Sequence, residues 1–118
     1  MRQSLSEGMN SAARIAGEIA SYLRIERDDV ALLRMGDLMN QTSYLVARWE
    51  GRLSKKSKDK LYLAREELRS AHEVLTGNAG MMLTPEDRAR FVWAGQRVSE
   101  IFSEEHGAAL QAAEARDR

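Results

Sequence analysis

The residues best placed to do chemistry in this 118-residue chain are two histidines, His72 and His106, and two adjacent carboxylate pairs, Glu66-Glu67 and Glu104-Glu105. A di-metal site on helices uses Glu-x-x-His, because a three-residue step keeps both ligands on one helix face. Here the residue three before His72 is Arg69, and the residue three before His106 is Ser103. Adjacent helical carboxylates diverge by about 100°, which suits solvated faces better than an acid/base couple. The chain has no cysteine, no Gly-x-Ser-x-Gly elbow and no glycine-rich phosphate loop, the usual devices of nucleophilic and nucleotide-dependent catalysis. The expectation is a non-enzymatic protein with no catalytic residues, no metal ligands and no cofactor.

Residues suited to binding are easier to find. Arg48, Arg52, Lys55, Lys56, Lys58 and Lys60 place six cations within 13 residues, against only Glu50 and Asp59. Such a cluster either contacts a nucleic-acid phosphate backbone or is a solvated corner of long side chains. Aromatic residues interleave it only at Trp49 and Tyr62, which argues against a dedicated base-stacking platform. The whole chain carries no net charge, although dedicated nucleic-acid binders are usually basic. The charge is unevenly spread: net −1 over residues 1–47, +4 over 48–69 and −3 over 70–118. A second candidate is apolar. Met81 and Met82 sit in an expected loop and Trp93 lies beside the core-like Phe91 and Val92. Methionine and tryptophan are favoured at protein interfaces, or the loop folds back to plug the end of the domain. A third stretch, Glu18–Ile25 followed by Val30–Arg34, has helix-turn-helix spacing. Its turn position holds Arg24 rather than glycine, and Asp28-Asp29 opens the would-be recognition helix, facing phosphates unfavourably.

The elements that must carry these residues are helical. Met9, Ala12, Ala16, Ile19 and Leu23 recur at three- and four-residue steps and predict a helix over about 6–24. Asp28 is the expected N-cap of a second and longest helix running to about Leu53, in which Gly36 marks either a close contact or a kink. Residues 54–58 form a polar break. Leu61, Ala64, Leu68, Ala71 and Leu75 then predict a third helix over about 58–76, and Gly77–Gly80 a stop. Thr84 caps a fourth helix with Pro85 in its first position. That helix buries Phe91, Ala94, Val98, Ile101 and Phe102 and ends near Gly107, before a frayed alanine-rich tail over 108–118. Four amphipathic helices with short connections imply one domain over 1–118, an all-α antiparallel up-down four-helix bundle. No run is apolar and long enough for a membrane span, the first residues lack a signal-peptide core, and the absence of cysteine suits the cytoplasm.

The stretches Met35-Gly36-Asp37-Leu38, Ala64-Arg65-Glu66-Glu67-Leu68, Leu83-Thr84-Pro85 and Arg97-Val98-Ser99-Glu100-Ile101 resemble, in helix length and loop placement, one four-helix-bundle family. That family includes the accessory variability proteins of diversity-generating retroelements and the intervening-sequence proteins of 23S ribosomal RNA genes. The resemblance implies a non-enzymatic bundle that forms a ring-shaped homo-oligomer and assists a partner enzyme or RNA through basic surfaces. Arg48, Arg52, Lys55, Lys56 and Lys58 would carry that contact, although this chain is neutral where those proteins tend to be basic. The leading expectation is a self-associating protein-binding bundle acting as adaptor, accessory subunit or inhibitor of a protein complex, with Met81, Met82 and Trp93 at the interface. The alternative is an RNA- or DNA-associated accessory protein using the basic corner at 48–60.

Overall fold

The computed structural model describes residues 4–77 and 83–116. Four helices follow one another: α1 (Leu5–Arg24), α2 (Asp28–Trp49), α3 (Lys55–Gly77) and α4 (Pro85–Arg116), with a single 3₁₀ turn, Glu50–Arg52, after α2. Cross-helix contacts set the topology. Gly8 meets Leu45 and Gln41, and Glu18 meets Arg34, so α1 and α2 are antiparallel. Lys60 meets Glu104 and Glu67 meets Arg97, so α3 and α4 are antiparallel. Ser99 bonds the Ala13 carbonyl and His106 the Ser6 carbonyl, closing α4 antiparallel onto α1. This is the expected up-down four-helix bundle.

Helices α1 and α3 bury the stripes their sequences predict, whereas Ala94 of α4 is only partly covered and Leu33, in the apolar run of α2, is 67% exposed. Met9, Ala12, Ala16, Ile19 and Leu23 of α1 face Leu38 and Leu45 of α2, Leu61, Ala64 and Leu68 of α3, and Val98 and Phe102 of α4 in one core. Thr42 lies in the apolar stripe of α2 and is fully buried. Its hydroxyl donates to the Leu38 carbonyl at 2.8 Å, so the polar atom is satisfied within its own helix. At Gly95 the α4 backbone comes close to α1. A Cβ built on Gly95 would stand 3.3 Å from the Ala20 backbone nitrogen and 3.4 Å from the Ala16 carbonyl oxygen. Only glycine lets the backbones approach this closely against the alanine face of α1.

Several boundaries differ from the sequence expectation. α2 ends at Trp49 rather than Leu53, and α3 begins at Lys55, because Ser54 caps it by accepting from the Ser57 N–H at 3.0 Å. The longest helix is α4, not α2: it runs through Gly107, and the tail is helical to Arg116. At 1.5 Å per residue its 32 residues span about 48 Å, outrunning α1 and explaining the 54 Å long axis. Gly36 has open space around it rather than a close neighbour.

The α1–α2 turn is closed by the backbone. Glu26 adopts a left-handed conformation with φ 60°. Its N–H donates to the Leu23 carbonyl, and the Arg27 N–H donates to that of Tyr22, the paired pattern of a Schellman helix end. Asp28 is the first residue of α2 rather than its cap. Its carboxylate is engaged elsewhere, by both guanidinium arms of Arg88 at 2.6 and 3.1 Å. Arg88 also donates to the Leu23 carbonyl at 2.8 Å, so one side chain of α4 ties the end of α1 to the start of α2.

Candidate functional site

Trp93 is the largest exposed side chain of the described residues, with 58% of its surface accessible. It is exposed because the buried positions of α4 around it are Phe91, Gly95 and Val98, and a residue two steps from Phe91 projects well away from that face. It stands beside a cleft of about 290 Å³ between α3 and α4, lined by Glu67, Ser70 and Ala71 on one side and Arg90, Phe91 and Ala94 on the other. The Arg97 guanidinium lies over the Trp93 ring, 5.6 Å from its centroid, and its Nε is 3.6 Å from Glu67 Oε1. The other carboxylate oxygen, Glu67 Oε2, is buried with no hydrogen-bond partner among the described residues. A buried acceptor left unpaired costs on the order of 1–3 kcal/mol. The cleft therefore combines an aromatic wall, a cation and the Glu67 carboxylate. Met81 and Met82, the other expected interface residues, lie outside the described residues.

The basic corner is distributed rather than convergent. Arg48 and Arg52 each place a guanidinium 5.2 Å from the centroid of Trp49, which is itself half-buried against the core. Lys55 and Lys56 are exposed at the start of α3, whereas Lys58 and Lys60 are partly covered. Lys60 turns toward α4 and meets Glu104 at 3.5 Å. Of the six cations it is the only one with an ion-pair partner among the described residues. No acidic residue occupies the first turn of α3, so lysines crowd the end where the helix dipole is already positive.

The catalytic candidates separate. Glu66 pairs with Arg69 at 2.8 Å and is about half exposed, while its neighbour Glu67 turns into the α3–α4 cleft. Glu104 is exposed toward Lys60, while Glu105 is 7% exposed. His106 sits in mid-helix rather than in a last turn, and its Nδ1–H donates to the Ser6 carbonyl at 2.8 Å. His72 lines a shallow α2–α3 groove with Asp29, Leu33 and Asp37. No group of three or more potential metal ligands occurs among the described residues. The helix-turn-helix spacing belongs to two helices that pair along their length, with Asp28 taken up by Arg88. No described helix is long and apolar enough to cross a membrane.

Sequence reasoning singled out Glu67 only as half of an adjacent carboxylate pair and missed its partnership with Arg97. Their α3 and α4 positions face one another only once the bundle is closed, and no spacing rule links residues thirty apart. Comparison with known proteins finds no matching family model, no matching curated protein and no matching solved structure.

Proposed function

We propose that this chain is a non-enzymatic helical-bundle binding protein of the cytoplasm. It acts as an adaptor, accessory subunit or inhibitor of a protein complex and receives a protein partner at the α3–α4 cleft beside Trp93. The observation that carries this reading is the exposed indole beside the α3–α4 cleft, with the Arg97 guanidinium over its ring and Glu67 on the facing wall. A partner segment with an apolar residue against Trp93 and a lysine or N–H donor near the partly exposed Glu67 carboxylate fits this arrangement. Tryptophan and arginine in such a setting are the residues that dominate binding energy at protein interfaces. The family resemblance, with its accessory bundles, belongs to the same reading.

The test is an affinity capture from host lysate, split into nuclease-treated and untreated halves, with the Trp93→Ala variant alongside. A partner that survives nuclease and is lost with Trp93→Ala supports the cleft. Equal recovery by both proteins sinks it. A second reading is favoured by the unpaired cations at residues 48–58: contact with an RNA or DNA backbone. It expects steeply salt-dependent binding that disappears in the Lys55→Glu, Lys56→Glu, Lys58→Glu variant. Salt-independent binding would count against it.

A further inference from the structure

The solvent face of α3 has an order that the bundle does not use. Its core stripe is Leu61, Ala64, Leu68, Ala71 and Leu75. On the opposite side, Lys55, Asp59, Tyr62, Glu66, Arg69 and Glu73 follow one another at steps of four and three, and all six are exposed. Alternating steps of four and three keep these six residues on one helix face. This helix therefore carries two ordered faces, an apolar one filled by the bundle and a charged one facing outward. The outer face has Tyr62 near its middle, 48% exposed, with Leu63 beside it at 50%. It opens on Lys55 and closes on Glu73, with Asp59 and Arg69 set just inside those ends.

That polarity opposes the helix's own dipole. Cations are favoured at a C-terminus and anions at an N-terminus. In α3 the lysines lie at the N-terminal end, and the last turn has no basic residue to offset Glu73. Both ends thus carry the charge that the isolated helix disfavours. An antiparallel neighbour of the same sequence reverses the penalty, because each positive end then meets a negative end.

We infer that α3 is a self-association face, and that its occupant is α3 of a second copy of this chain, packed antiparallel about a two-fold axis. The register follows from that face. With the axis between Tyr62 and Glu66, Lys55 faces Glu73 of the second copy, Asp59 faces its Arg69, and Tyr62 lies over the stem of its Glu66. Two-fold symmetry repeats each pair, so these six positions supply two Lys–Glu and two Asp–Arg pairs around a central pair of tyrosines. Arg69, which bonds Glu66 of its own helix at 2.8 Å, then lies between two carboxylates. Eighteen residues separate Lys55 from Glu73, so the contact runs about 27 Å along the helix. This inference rests on the reading of the protein as a binding module, and it names one partner and its face.

Sedimentation velocity on the full chain across a concentration series tests it. The wild type is expected to dimerise. Lys55→Glu and Glu73→Lys are each expected to weaken the dimer about tenfold, since every substitution is felt twice and turns attraction into repulsion. The double variant K55E/E73K rebuilds the pairs with inverted sign and is expected to recover the dimer. Circular dichroism melts of these surface variants check that the bundle is intact. A monomeric wild type overturns the inference, and so do single variants that dimerise as the wild type does. A double variant no better than the singles overturns the register. None of these outcomes bears on capture of another protein through Trp93, which Trp93→Ala reads separately.

Discussion

Replacing Arg88 with alanine removes a side chain that joins three helices at the α1–α2 turn. Arg88 is 15% exposed and Asp28 32% exposed, with guanidinium and carboxylate in a two-armed contact at 2.6 and 3.1 Å. Hydrogen bonding to Asp28 raises the Arg88 pKa further, so the cation persists at every pH the fold survives. Exposed ion pairs contribute about 0–1 kcal/mol, and breaking a fully buried one costs about 3–5 kcal/mol. A pair with one partner a third exposed lies between, and the substitution also strips the Leu23 carbonyl of its donor. The expected cost is about 2 kcal/mol, or about 8 °C in Tm for a domain of this size. Thermal and urea denaturation followed at 222 nm would measure it. Arg88→Lys keeps the charge but loses the two-armed geometry, and should recover less than half. A double-mutant cycle with Asp28→Ala isolates the pair. A coupling energy near zero, or an Arg88→Ala loss below about 0.5 kcal/mol, would refute the latch.

Glu26→Gly is expected to stabilise the fold by about 1 kcal/mol, because glycine adopts the left-handed conformation without the Cβ clash that Glu26 bears; Glu26→Ala should show no such gain in the same melts. Gly95→Ala and Gly36→Ala should move in opposite directions. The first forces α1 and α4 apart and costs about 1–2 kcal/mol net, while the second gains up to about 1 kcal/mol of helix propensity in open space; equal melting temperatures would contradict the packing described. Thr42→Val is expected to lie within about 1 kcal/mol of the wild type, since the hydroxyl bonds only its own helix and its removal strands no donor; a large loss would mean that Thr42 serves another group.

The helices, their core stripes and their antiparallel order were legible in the residues themselves, because a period near 3.6 and short connections leave few ways to bury four apolar faces. Thr84 and Pro85 marked the start of α4 correctly, with Thr84 accepting from the Asp87 N–H. Local signals misled where two rules competed. Asp28 looked like a cap, yet a cation sixty residues away claims its carboxylate, and Ser54 rather than the lysine run decides where α3 begins. Glycine shows the divide most plainly. Gly36, Gly95 and Gly107 look alike in the chain, but only Gly95 lies against a neighbouring backbone, and Gly107 ends nothing. Among the candidate sites, exposed Trp93 and the outward charges of α3 could be named from type and spacing. The pairing of Glu67 with Arg97, and the donorless oxygen left beside them, arose only when α3 and α4 closed together. Periodicity is a property of one helix, whereas hydrogen-bond satisfaction and close approach belong to pairs of helices, and only the packed structure contains those pairs.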